Sequence, residues 1–367
     1  MKSILVTGAG GSAGHNVCWS LRVSKDGRSL VLTGGDVDRT SLELNMWLDY
    51  SFHLPGAHDR GYVAALNKVI ESEKVELVMP QPDPEVERVS AERSRIRARI
   101  FLPDIETVST CLDKFAALSR WNEAGLRRKP VLISHDDSSN TRKLRQLDYP
   151  CWIRAREGAG GLMSCRATNP SIAEHWVKFH WDQGINANFV AEEYLPGRDY
   201  CFMSLWNNGG LVTSMIRERL SWVGHRVVGS GGTSKLNRVV HSDIVNKKAV
   251  EAIRSVSKKP HGIFCVDLKE DAKSVPCPTE INCRFTTNVH YLSLASIRLG
   301  HPEWNFPWLA ARLALEEEIP DCSKTNAIPD DLWFTKNTDM GFTMVRGNHW
   351  KAAEVFDGGI YFPRLWK

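Results

Sequence analysis

The residues best suited to chemistry lie in two neighbouring runs, Ile263-Phe264-Cys265-Val266-Asp267-Leu268-Lys269-Glu270 and Pro278-Thr279-Glu280-Ile281-Asn282-Cys283-Arg284. Side chains alternate faces along a strand, so Glu280, Asn282 and Arg284 share one face. If the two runs pair as strands, Asp267 comes close to Glu280. Two carboxylates and an amide oxygen on a rigid sheet make a hard oxygen set, suited to Mg²⁺ that keeps waters and shares phosphate oxygens. Arg284, one step further along that face, then stands where a terminal phosphate needs neutralising. A solvated sheet face whose acids and arginine pair with one another would show the same spacing.

The elements that must carry these groups change texture along the chain. Over the first hundred residues short apolar runs alternate with helical spacing: Ile4-Leu5-Val6, a helix over 13–23, Leu30-Val31-Leu32, a helix over 62–71, Leu77-Val78-Met79, a helix over 85–95, then Ile100-Phe101-Leu102. Strands separated by helices predict a parallel, helix-covered sheet. One helical stretch is predicted over 108–125. From about residue 151 strand-like runs dominate, with helices predicted over 171–180, 243–257 and 291–299, which suits mostly antiparallel sheets.

A second candidate is the turn Thr7-Gly8-Ala9-Gly10-Gly11-Ser12-Ala13-Gly14, which follows a strand and opens a helix. Glycines there permit a tight turn and let helix-end N–H groups approach a phosphate. Asp36 and Asp38 fall about where a ribose-binding carboxylate would sit. This segment alone resembles the extended short-chain dehydrogenases and points to an NAD(P)-dependent oxidoreductase. That family needs a tyrosine with lysine four residues on, and none of the seven tyrosines has one.

With the other segments in order, the sequence resembles the ATP-grasp superfamily, especially the branch similar to the large subunit of carbamoyl phosphate synthetase. Glu280-Ile281-Asn282-Cys283-Arg284 matches its E-x-N-x-R metal strand, with Asp267 where the partner ligand lies. Glu192-Glu193-Tyr194-Leu195-Pro196-Gly197-Arg198-Asp199 resembles its hinge, and Asp113-Lys114 the D-K pair that opens its first nucleotide-contacting helix. Trp152-Ile153-Arg154-Ala155-Arg156 and the glycine loop at 157–161 resemble its basic strand and mobile lid.

The resemblance implies an α/β and α+β chain in four parts: a Rossmann-like pre-ATP-grasp domain over 1–108, a helical connector over 109–150, a small nucleotide lid over 151–205, and a large metal-binding and substrate subdomain over 206–367. It implies ATP and Mg²⁺ as cofactors. Main-chain groups from Glu193 through Tyr194 to Leu195 would read adenine, with Glu192, Glu193 or Asp199 accepting from amino or ribose groups. Lys114, Arg154 and Arg156 would hold phosphates. Asp267, Glu280 and Asn282 would hold Mg²⁺, and Arg284 would act catalytically on the transferred phosphoryl group. The activity implied is a carboxylate-amine ligase working through an acyl phosphate. A non-catalytic ATP-binding regulator of the same fold is the remaining alternative. Arg217, Arg219 and His225 border the expected acceptor side, where alternating arginines suit a carboxylate-bearing substrate or a solvated strand face. Departures fall at the substrate end: Cys283 replaces the usual Pro, and Phe285-Thr286-Thr287-Asn288 replaces a small Ser/Gly-rich turn.

Composition bounds these readings. Hydrophobic residues at 42% and charged residues at 25% support a sizeable core. Forty-seven Lys and Arg against 43 Asp and Glu leave a net charge of +4, which argues against a dedicated nucleic-acid surface. Nine cysteines without a C-x-x-C spacing read as reduced residues of a cytoplasmic protein, and no apolar run is long enough to span a membrane. The expected partners are small molecules, a carboxylate and an amine, while the sequence leaves monomer or homo-oligomer open.

Overall fold

The computed structural model describes residues 1–158, 160–161, 163–223, 232–337, 341–346 and 355–356. The N-terminal third is a five-stranded sheet of β1 (Lys2–Thr7), β2 (Leu30–Asp36), β3 (Tyr50–His53), β4 (Leu77–Pro80) and β5 (Arg99–Ile100), in the order β3-β2-β1-β4-β5. Its pairings are all parallel, as the alternation of strands and helices predicts. Helices α1 (Ser12–Arg22), α2 (Arg39–Glu43), α3 (Tyr62–Ser72) and α4 (Asp83–Ala91) connect the strands. Burial on both faces explains why β1 reads as an unbroken apolar run.

The predicted helix over 108–125 is two helices, α5 (Ile105–Leu112) and α6 (Lys114–Glu123). The break is Asp113, whose extended backbone lets its carboxylate accept from the N–H groups of Phe115 and Ala116 and so start α6.

A four-stranded antiparallel sheet follows, ordered β6 (Val131–Ile133), β9 (Phe189–Glu193), β7 (Cys151–Ala155), β8 (Cys165–Ala167). Helices α7 (Asn140–Arg145) and α8 (Pro170–Asp182) give it its own small core with Ile153, Val177 and Phe189. Eight antiparallel strands form the large sheet: β14 (Pro276–Asn282), β13 (Gly262–Glu270), β10 (Asp199–Asn207), β11 (Gly210–Trp222), β12 (Ser234–Val239), β15 (Leu332–Asn337), β16 (Gly341–Arg346) and β17 (Val355–Phe356). Thus Asp199–Asn207, expected in the lid, hydrogen-bonds into the large sheet, whereas Val131–Ile133, expected in the connector, joins the lid sheet.

Helices α9 (Asp243–Val256), α10 (His290–Leu299) and α11 (Phe306–Ala314) complete the fold. One core joins Ile4, Val6 and Trp19 to Met203, Tyr291 and Leu309; a second joins Leu5, Tyr62 and Val78 to Phe264, Val266 and Ile281. The parallel sheet and the large sheet are therefore packed together, and the lid sheet has a core of its own. No helix among the described residues is long and apolar enough to cross a membrane. All nine cysteines are free, eight of them buried.

Candidate functional site

A cleft of about 1000 Å³ lies between the lid sheet and the large sheet. Its lid wall carries Trp152 and Arg154 from β7 and Glu192 and Glu193 from β9; its floor carries Asp267 and Lys269 from β13 and Glu280 and Asn282 from β14. Register brings the acids together. Asp267 and Glu280 are direct Cα partners across β13 and β14, and Asn282 opposes Cys265 two residues on. Period-two alternation then turns Asp267, Glu280 and Asn282 to the cleft face, as the sequence pattern predicts.

The arginines organise these acids. Glu192 is 6% exposed and receives Arg127 Nη2 and Arg154 Nε, each at 2.7 Å. Arg154 also spans the cleft, lying 3.8 Å from Glu280 and donating to the Thr279 carbonyl. A charged triad this buried is costly unless its geometry is fixed, so Glu192 is placed to aim Arg154 at the floor. Across the floor, Arg219 pairs with Asp199 at 3.0 Å and with Asp267. Burial pushes the Asp199 carboxyl up and the Arg219 charge pulls it back, with a net rise.

Arg284 lines the cleft and forks onto Asp83 at the start of α4, with Nε at 2.7 Å and Nη2 at 3.0 Å, while Nη1 reaches the Phe285 carbonyl at 3.2 Å. The guanidinium has five N–H donors. Three of its atoms are thereby held, two of them by Asp83 of the N-terminal domain.

At the lid-to-floor connection, Gly197 N–H donates to the Glu270 carbonyl and Glu270 N–H to the Arg198 carbonyl, both at 2.9 Å. The Glu270 carboxylate is forked by Arg198 and accepts from the Tyr200 hydroxyl at 3.0 Å. Tyr194 and Leu195, which line the cleft, make no main-chain hydrogen bond within the protein among the described residues. Arg166 stacks 4.4 Å over the Tyr194 ring, whose other neighbour is Trp152.

Two predicted phosphate ligands are placed elsewhere. Arg156 does not reach the cleft: its guanidinium forks onto Asp113, at 2.9 and 3.0 Å from Nε. Burial would raise the Asp113 carboxyl, but the bonds from Arg156 and the α6 N–H groups hold it below the ordinary carboxylate range. Lys114 is buried behind the cleft wall and donates from Nζ to the Gly158 carbonyl of the glycine loop. Burial lowers its pKa, against the pull of Glu280. Gly160 and Gly161 of that loop line the cleft. His225 and Arg226 lie outside the described residues, as does Ala159.

Arg127, Lys269 and Asp83 were not found from the sequence. Arg127 sits in a surface-like Arg-Arg-Lys run, and Asp83 acts on a residue 201 positions away. Lys269 alone carried a signal, since it shares the alternating face of Asp267.

The glycine turn after β1 is closed on itself. Ala9 N–H donates to the Gly35 carbonyl at 3.2 Å, Gly10 N–H to Asp36 at 2.8 Å, and Gly11 N–H to the Gly8 carbonyl at 3.1 Å. Of the two acids at the expected ribose position, Asp36 is buried and also accepts from Asp38 N–H, whereas Asp38 is exposed and caps α2. The N–H groups of Ala9, Gly10 and Gly11 are thereby used within the N-terminal domain.

Two carboxylates opposed in register with an amide oxygen beside them fit a Mg²⁺ donor set. No family model matches the sequence, and no curated protein sequence matches it. Solved structures do match. An L-amino acid ligase from Bacillus licheniformis is similar with a TM-score of 0.68 at 14% identity, over 94% of this chain and 80% of that one. N5-carboxyaminoimidazole synthetase from Staphylococcus aureus, in complex with ADP, is similar with a TM-score of 0.66 at 15% identity, over 92% and 82%. A biotin carboxylase domain of 2-oxoglutarate carboxylase from Hydrogenobacter thermophilus, in complex with MgADP and bicarbonate, gives 0.65 at 14%, over 91% and 74%. At these identities the likeness is one of fold: the chain has the ATP-grasp fold over most of its length.

Proposed function

We propose that this chain is an ATP-dependent ligase that activates a carboxylate as an acyl phosphate and transfers the acyl group to an amine, forming an amide or peptide-like bond. The observation that carries the proposal is the convergence of Asp267, Glu280 and Asn282 from the floor and Arg154 from the lid on one cleft beneath an unpaired main-chain hinge. The fold neighbours support it: one is an L-amino acid ligase, and two were crystallised with adenine nucleotide.

In this reading adenine lies beside Trp152, with its edge on the free main-chain groups of Tyr194 and Leu195. Arg154, aimed by Glu192, neutralises phosphate charge as a fork. Mg²⁺ would be held by Asp267, Glu280 and Asn282, and when bound it supplies charge neutralisation between the outer phosphates. Arg284, immobilised by Asp83, presents a fixed positive charge to the transferred phosphoryl group, so little reorganisation accompanies the reaction. Closure of the lid sheet, with its separate core and glycine loop, excludes water from the acyl phosphate. The nucleophile is an amine in its neutral form: it attacks the acyl carbonyl, the C–O bond to the phosphoryl group breaks with release of inorganic phosphate, and the amine loses its proton as the amide forms. Lys114 holds the glycine loop at Gly158 and acts there as a positioning residue. Eight buried free thiols suit a reducing compartment, the cytoplasm.

The test is ADP release from Mg-ATP in a pooled screen of carboxylates and amines. Release that depends on both pools and disappears in Glu280→Gln is the expected result. Nucleotide binding without release in any pool would point to a regulator instead.

A further inference from the structure

Among the described residues five arginines line the cleft, and four of them are ion-paired: Arg127 and Arg154 with Glu192, Arg219 with Asp199 and Asp267, and Arg284 with Asp83. Arg217 is the fifth. It is 5% exposed, and its bonds go only to neutral groups: Nη1 donates to Asn237 Oδ1 at 2.6 Å and Ser234 Oγ at 3.1 Å, and Nη2 to Thr286 Oγ1 at 3.4 Å. Its Nε has no partner, and among the described residues no carboxylate lies within ion-pair distance of it, Asp199 pairing with Arg219 instead.

The charge around it adds to the imbalance. Lys336 on β15 is half-buried, and burial, then the charge of Arg217, push its pKa down to about 8. Burial, followed by the charges of Lys336 and Arg217, holds the nearby His290 well below the ordinary histidine range. Asp199 lies near enough to feel the charge of Arg217 but pairs with Arg219, and Asn288, 3% exposed, donates from Nδ2 to Ser234 Oγ at 2.8 Å and leaves its Oδ1 without a partner. A buried guanidinium with no carboxylate in contact is destabilising, a penalty that a bound anion would remove.

Register places this group relative to the chemistry. Cys201 on β10 is the direct partner of Arg217 on one side and of Asp267 on the other. Arg217 is therefore two strand spacings from the metal acid, roughly 10 Å along the hydrogen-bonding direction. That leaves room for a reactant a few bonds long.

We infer that Arg217 seats an anionic group, a carboxylate or a phosphate, that the reaction does not consume, so the reactant held at this end of the cleft is a small acid rather than a neutral amine. The inference rests on the ligase reading for what happens to that reactant, but the seat itself follows from the unbalanced charge. It also gives the Thr286 to Asn288 segment, which departs from the usual turn of the resembled family, a role in framing the anion.

The test is calorimetric titration of Mg-ADP-saturated protein with malonate, inorganic phosphate and neutral malonamide. Saturating Mg-ADP occupies the Arg154 end, and the Arg217 variants separate binding at Arg217 from binding at Arg284, which ADP leaves vacant. The expected result is binding of at least one anion, none of malonamide, and at least about tenfold weaker anion binding in Arg217→Gln, the scale of a charge-assisted fork. Arg217→Lys, which keeps the charge and loses the fork, should fall between, and it serves if the glutamine variant does not fold. Malonate alone would identify a carboxylate seat and phosphate alone a phosphoryl seat. Absence of anion binding, or anion binding indifferent to both variants, would overturn the inference. Failure of Mg-ADP itself to bind would strike the ligase reading instead, and the same titrations on nucleotide-free protein would still decide Arg217.

Discussion

Two glycine-bearing turns in this chain meet opposite surroundings. In the turn after β1, a Cβ on Gly14 would lie 2.1 Å from the Gly8 carbonyl oxygen, and one on Gly8 would lie 2.4 Å from the Pro82 ring. In the loop after β7, a Cβ on Gly158 or Gly160 would meet nothing within 4 Å, although both residues have positive φ. The first turn needs glycine because protein fills the space; the second has open space, and Gly160 borders the cleft. The acids differ in the same sense. Asp36 is turned onto the Gly10 N–H of the turn and the Asp38 N–H, while Glu280 faces the cleft with Arg154 as its nearest cation. A phosphate-binding spacing is thus a statement about backbone shape, and whether it binds a phosphate depends on what else has been packed against it.

The largest expected effect lies at the cleft. Glu280→Gln removes one of two opposed carboxylates and should lower ADP formation by roughly 10² to 10³, with thermal stability little changed. An equal loss from a substitution in the β1 turn, in protein shown to be folded, would reverse the comparison.

The next effect lies beneath that turn. Glu85 is 5% exposed, and burial, with the charge of Asp36 adding to it, pushes its pKa up from 4.5 to about 7 against the opposing pull of the nearby Thr7 and Tyr62 hydroxyls. The folded state then holds a proton that the unfolded chain releases. The contribution is fully present below the unfolded pKa and is lost as pH rises through about 7. Roughly 3 kcal/mol is at stake, so urea midpoints should fall between pH 5 and 8, and Glu85→Gln should flatten that fall. A midpoint in the parent that does not move with pH would contradict a sealed acid at this end.

How much of this was open to inspection in the sequence follows from the range of each interaction. The pairing of Asp267 with Glu280 could be read because strand alternation is local and the two runs are close in sequence. The inward turn of Asp36 could not, because it depends on Gly10 and the path of α2. Arg154 and Arg156 share a spacing, yet one faces the cleft and the other is captured by Asp113, 43 residues earlier. Asp83 and Arg284 meet only once the parallel sheet docks on the large one. The observed lid boundary differs from the expected one for a related reason: a strand's pattern does not say which sheet it joins, and β10 pairs into the large sheet while β6 pairs into the lid sheet.

Two smaller effects separate the turns directly. Gly14→Ala pushes a methyl into a carbonyl and should cost about 2 kcal/mol in denaturant melts, with Mg-ATP affinity of the folded protein unchanged. Gly160→Ala meets no atoms but must adopt left-handed backbone, at about 1 kcal/mol. Its expected signature is weaker Mg-ATP binding by calorimetry, with the melting temperature nearly the same. Swapped outcomes, a nucleotide defect at Gly14 and a folding defect at Gly160, would mean the roles of the turns have been exchanged.

The central claim is that nucleotide occupies the cleft and that the β1 turn is closed. A side-by-side thermal shift with Mg-ATP and with NADH tests it most directly. The account predicts a rise in melting temperature with Mg-ATP that is lost in Glu280→Gln, and no rise with NADH. Stabilisation by NADH and none by Mg-ATP would contradict it.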